Sequence, residues 1–201
     1  MNPTPYKLSF IGVSIAVKES VRIAEIYLDL QHWEATEEKV KSENLIQART
    51  QSSLQRYYQE LAPRLRLLSE DQLDLLVSGT LQEQKYLLWY AICKHYEFIR
   101  EFAVEVLHEK YLLFDFALTE FDYETFFNRK ADWHEELEAL KESSRVKVRT
   151  MLFRMLRDAG LVNREHVILP AILSRRLVEI LQPDAPWGFE IFPISMAEIF
   201  A

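Results

Sequence analysis

Apolar residues recur at spacings of three and four along most of this chain, the period of a helix with one buried face. Residues 14–31 read as a helix with Val17, Val21, Ala24 and Leu28 inward, and 33–41 as a short one with Trp33 and Val40 inward. A turn at Ser42-Glu43-Asn44 leads to a third helix, capped by Thr50 and running to about Leu68, with Leu54, Tyr58, Leu61 and Leu65 inside and Pro63 kinking or dividing it. Ser69-Glu70-Asp71-Gln72 and Thr80-Leu81-Gln82-Glu83 are capping boxes that open two further helices, stopping at Gly79 and near Lys94. The pattern continues over 96–112, with Phe98, Phe102, Val106 and Leu113 inward, and then over 122–129 and 132–140. The last strong period is Ser143–Val162, where Val148, Met151, Leu152, Met155 and Ala159 share one side. Ser143 or Ser144 is placed to cap it, and Gly160 stands where a left-handed C-terminal cap belongs. Beyond it, 167–169 and 189–192 read as an extended pair, 174–181 as a last helix, and the proline-bearing tail from Gln182 as a surface wrap.

The predicted fold is therefore all-α. It consists of two helical modules, each containing a helix-turn-helix, with room for a minimal wing in the second. The first module spans 1–68, central helices 69–118 join the two, and the second spans 119–201.

Charge singles out two of the helices. From Lys141 to Arg164 seven Lys or Arg face two acids, a balance of +5 inside a chain of net charge −7. Lys147, Thr150 and Arg154 form the polar line of that helix, and Ser143, Ser144, Arg145 and Arg149 occupy its first turns. The first turns of a groove-entering helix are where side chains meet bases and phosphates. The earlier helix opens with Arg49, Thr50, Gln51, Ser52, Gln55 and Arg56, richer in amides and poorer in charge. These thirteen residues are the expected contacts to double-stranded DNA, with the C-terminal set contributing more. From Glu101 to Glu142, by contrast, twelve acids face four bases, an acidic face unsuited to DNA. The alternative reading is a protein–protein adaptor whose basic helix docks on an acidic partner.

Other chemistries are poorly served. Four glycines, none clustered, leave no phosphate-cradling loop. Cys93 is the single cysteine, and the five histidines stand apart, so no metal, cofactor or catalytic set is expected. No apolar stretch is long enough to span a bilayer, and the expected setting is a cytoplasmic monomer without membrane attachment.

Several long blocks carry a family likeness. They are Ser42–Thr50, Gln82–Trp89, Phe126–Leu137 (FFNRKADWHEEL) and Leu152–Leu161 (LFRMLRDAGL), followed by Ile168-Leu169-Pro170. Together these resemble the BrxA family of the bacteriophage exclusion (BREX) defence systems. The resemblance implies a small, helical, non-enzymatic component of a phage-defence system that binds double-stranded DNA. It also implies partners among the other BREX components: a methyltransferase, an ATPase and a phosphatase-like protein. It does not identify contact residues.

Overall fold

A computed structural model describes residues 4–199. Its centre is a helix buried on nearly every side. The run Leu87-Leu88-Trp89-Tyr90-Ala91-Ile92-Cys93 is inaccessible along its whole length, and a helix apolar all round belongs in a core. This is α5 (Leu81–His95), launched by the Thr80–Glu83 capping box. Against it pack α1 (Val17–Leu30), α3 (Gln51–Leu65), α4 (Glu70–Ser78), α6 (Glu97–Phe102) and α10 (Glu142–Ala159). The remaining helices are α2 (Trp33–Ser42), α7 (Glu109–Leu112), α8 (Glu120–Ala131), α9 (Glu135–Glu138), α11 (Arg175–Leu181), α12 (Trp187–Glu190) and α13 (Met196–Ile199). A 3-10 turn, Ser9–Gly12, precedes them, and a π-helical stretch, Ala103–His108, joins α6 to α7. The fold is all-α, and one continuous apolar core runs through it.

Several expectations change. The inward face of α1 is Ser20, Ile23, Ala24 and Ile26, with Val17, Val21 and Leu28 only half-buried. Pro63 neither divides nor shortens α3 beyond its last turn, since the helix continues to Leu65. Leu113 is not inside; it is 74% exposed. Residues 189–192 form no strand, because Phe189 and Glu190 lie in α12. The partner of 167–169 comes from two other places. Val167 bridges Ala117, Ile168 bridges Val162, and Leu169 N–H donates to the Leu161 carbonyl. The tail is core rather than wrapping: Phe189, Ile191, Phe192 and Ile194 are buried, and Trp89 donates its indole N–H to the Ile191 carbonyl at 2.9 Å. Four large side chains in its last twenty residues outweighed the prolines that had suggested a surface path.

The segment before α1 ties distant parts together. Residues 13–14 run between α3 and α10. Arg64 of α3, 2% exposed, donates to the carbonyls of Ser14 (2.7 Å) and Val13 (2.9 Å). Ser14 Oγ in turn donates to Asp158 of α10 at 2.6 Å. Burying a guanidinium is costly unless its donors are used, and here two of them satisfy backbone oxygens that would otherwise be orphaned.

Candidate nucleic-acid interface

The start of α3 is shaped by its own polar residues. Asn44, at φ 48°, closes the turn after α2 by pairing both side-chain atoms with Ala48, at 2.9 Å each way. Thr50 then caps α3 by accepting from Ser53 N–H, and Ser53 Oγ accepts from Thr50 N–H. That leaves Arg49, Thr50, Gln51, Ser52 and Arg56 exposed and Gln55 half-buried. Neither Arg49 nor Arg56 meets a carboxylate among the described residues.

The start of α10 differs from expectation. Lys141 is the N-cap, no side chain closes the cap, and Ser143 and Ser144 lie inside the first turn beside Glu142. Neither serine is a cap. Arg145 and Arg149 turn toward α8. Arg145 donates to Asn128 at 2.8 Å, stands 3.6 Å from Glu124, and lays its guanidinium over the Phe127 ring at 4.3 Å. Arg149 meets Glu124 at 3.0 Å and Glu120 at 3.2 Å. These two arginines are committed to holding α10 against α8. The exposed line of α10 is Ser143, Lys147, Thr150 and Arg154, with Val146 beside it. Lys147 is unpaired among the described residues, and Arg154 shares Asp158 at 3.6 Å.

The two stretches open onto one surface. Arg49, Ser53, Arg56 and Tyr57 line one shallow depression, and Tyr57 also borders a second, with Lys85, Arg154 and Arg157, so that the row makes an interrupted groove. Arg157 in turn borders a third depression, with Thr150, Arg149 and His166, beside the turn 163–166 that joins 161–163 to 167–169. Acids enter the groove at Glu19, Asp158 and Glu120, but Asp158 already accepts from Ser14 and Glu120 faces Arg149. Gln51, Ser52, Gln55, Ser143, Ser144, Arg145 and Lys147 lie off the groove floor. Lys85, Arg157 and Tyr57 were absent from the expected set. Arg157 belonged to the basic face already recognised in α10, whereas Lys85 sits on a core helix and only folding shows which way it points.

Neither connection is the turn of three or four residues typical of a helix-turn-helix. Residues 43–50 separate α2 from α3, and 132–141, including α9, separate α8 from α10.

With this geometry in place, similarity to known proteins becomes informative. The profile of the BrxA family matches residues 4–184. The chain belongs to the BrxA family. A BREX protein BrxA of Escherichia coli O9:H4 (strain HS) is 28% identical over 156 residues, covering 76% of this chain and 72% of that protein. A second BREX protein BrxA, of Bacillus cereus (strain H3081.97), is 27% identical over 128 residues, 64% of each chain. In three dimensions the fold is similar to the crystal structure of an uncharacterized protein from Magnetospirillum magneticum, with a TM-score of 0.79 and 19% identity over 94% of this chain and all of that one. At that identity the likeness speaks for the fold alone. No helix among the described residues is long and apolar enough to cross a membrane.

Proposed function

We propose that this protein, as the BrxA component of a BREX phage-defence system, binds double-stranded DNA along the groove that joins α3 to α10. The observation that carries the reading is the placing of Arg49, Arg56, Lys85, Arg154 and Arg157 along two adjoining depressions that share Tyr57 and Glu19, with only Arg154 in an ion pair among the described residues. In a protein of net charge −7, cations left without partners on one surface favour an anion as long as the groove itself. The exposed line Ser143–Lys147–Thr150–Arg154 presents α10 to a major groove, whose width admits a helix. The turn 163–166 acts as a small wing beside it, and Thr50, Gln51, Ser52, Gln55 and Arg56 bring α3 to the same duplex. Its role is non-enzymatic: it places a monomer on DNA for the other BREX components.

Titrating random-sequence duplex at increasing salt tests this. Phosphate contacts release counterions, so log affinity falls with log salt by about 0.9 per phosphate neutralised. A flat response would end the DNA reading and leave the adaptor, whose basic helix docks on an acidic protein.

A further inference from the structure

Thirteen large apolar side chains are exposed among the described residues, and eight of them fall in two short segments, 112–121 and 167–172. The chain pins those segments side by side through the Ala117–Val167 bridge and the Ile168 N–H to Phe116 carbonyl bond of 2.7 Å. Leu113, Phe114 and Phe121 are 74%, 81% and 77% exposed. The Phe114 and Phe116 rings lie 6.3 Å apart, edge to face, and Phe116 leans on Tyr111 at 5.8 Å. Phe114 is moreover held at φ 57°, the left-handed region that a bulky side chain rarely occupies. Isolated exposed leucines are ordinary; an apolar concentration of this kind marks an interaction surface.

Charge decides what covers it. Over residues 109–122 the only cation is Lys110, which is 14% exposed and already carries Asp115 at 2.5 Å and Asp122 at 3.2 Å. Glu109 is exposed, Glu120 is 66% exposed, and Glu198 is brought to the rim by its 2.9 Å bond from the Tyr111 hydroxyl. Around the 112–121 half the rim that water sees is acidic, whereas Arg164, Arg175 and Arg176 stand exposed beside the 167–172 half. Nucleic acid and an anionic bilayer are repelled by that acidic half. We infer that this face docks another protein, through an apolar segment of that partner flanked by lysines and arginines. It adjoins the proposed DNA groove at Glu120, which faces Arg149 there, but Leu113, Phe114 and Phe121 lie outside that groove.

The experiment uses the full chain, an amphipathic helical peptide of leucine and lysine, and its leucine–glutamate counterpart. The lysine peptide is expected to bind the parent and to lose about tenfold in affinity against the Phe114→Ser/Phe121→Ser double variant. The glutamate peptide should bind neither. Leu113→Ser serves as a second variant, with melting temperature measured for both, because every replaced side chain is exposed. Duplex DNA binding should be unchanged in the variants, which separates this face from the groove whether or not the groove binds DNA. Equal binding of the lysine peptide to parent and folded variants would overturn the inference. So would equal binding of the glutamate peptide, or a parent that dimerises through this patch.

Discussion

The two faces of α10 use the same residue type for opposite ends. Arg145 and Arg149 turn toward α8 and find Asn128, Glu124, Glu120 and the Phe127 ring. Arg154 and Arg157, a few residues on, meet little acid: Asp158 for one, His166 at 3.4 Å for the other. On a helix a shift of one or two positions moves a side chain around the axis, and the neighbour it then meets decides whether its charge is spent internally. Counting basic residues along α10 therefore overstates what it offers outside. Charge lost to α8 reappears across the groove, where Arg49, Arg56 and Lys85 are unpaired among the described residues. On that accounting the proposed DNA binding is expected to draw comparably on α3 and α10, where charge density along the sequence favours α10.

The sharpest way to break this comparison is to detach the two helices. Arg64→Met removes the donors that hold Val13 and Ser14, leaving two buried carbonyls unpaired. A loss of about 3 kcal/mol in stability is expected by denaturant titration. An effect below about 1 kcal/mol would show that the strap is not held by Arg64.

Removing free cations from both sides comes next. The triple variant Arg56→Ala/Lys147→Ala/Arg157→Ala should reduce the salt slope by about 3, at roughly 0.9 per phosphate contact. The pairs Arg49/Arg56 and Lys147/Arg157, replaced separately, should reduce it by similar amounts. A loss confined to the α10 pair would restore the unequal order that charge density along the sequence suggests.

A smaller effect separates the faces of α10. Arg149→Ala should cost about 0.5–1 kcal/mol of stability, as a partly exposed pair does, and leave the salt slope intact. Lys147→Ala should do the reverse, with an unchanged melting temperature and a slope smaller by about 0.9. If Arg149→Ala weakens duplex binding as much as Lys147→Ala, its ion pairs with α8 open on binding.

Much of this was legible in the residues. The Ser69 and Thr80 capping boxes, the Thr50 cap and the Gly160 terminus at φ 77° are local patterns with local causes, and they appear as read; the buried face of α10 does too, except that Met151 is half-buried and Phe153 and Leu156 join it. The all-α class followed from the same periodicity. What escaped was set at long range. One of the two partners of 167–169 lies some fifty residues upstream, at 116–118, and no local signal names it. Lys85 stands on the central helix, so its place on the groove depends on how α5, α10 and residues 13–17 meet. The fates of Arg145 and Arg149 depended on α8 lying alongside α10.

The smallest expected effect concerns pH. Burial, with Lys7 and Arg64 nearby, pushes His95 down from 6.5 to about 4. The unfolded chain then takes up a proton as pH falls through 6.5, and the folded chain resists until about 4. Stability should hold above pH 6.5 and decline between 6.5 and 4. His95→Gln should flatten that part of a melting-temperature profile. A profile unchanged by the substitution would place the acid sensitivity in other groups.

The strap before α1 also bears on how the molecule assembles. Tyr6 N–H donates to Glu136, its ring stacks on His134 at 3.8 Å, and Ser14 reaches Asp158, so Tyr6 and Ser14 find these partners 128 to 144 positions later in the chain. Closing so long a loop is slow, and during synthesis those first residues wait until α9 and α10 have been made. The groove has a wall in each half of the chain, with this strap between them, so a growing chain carries no finished groove. On the proposed reading, the capacity to hold a duplex would arrive in one late step, with the C-terminal helices.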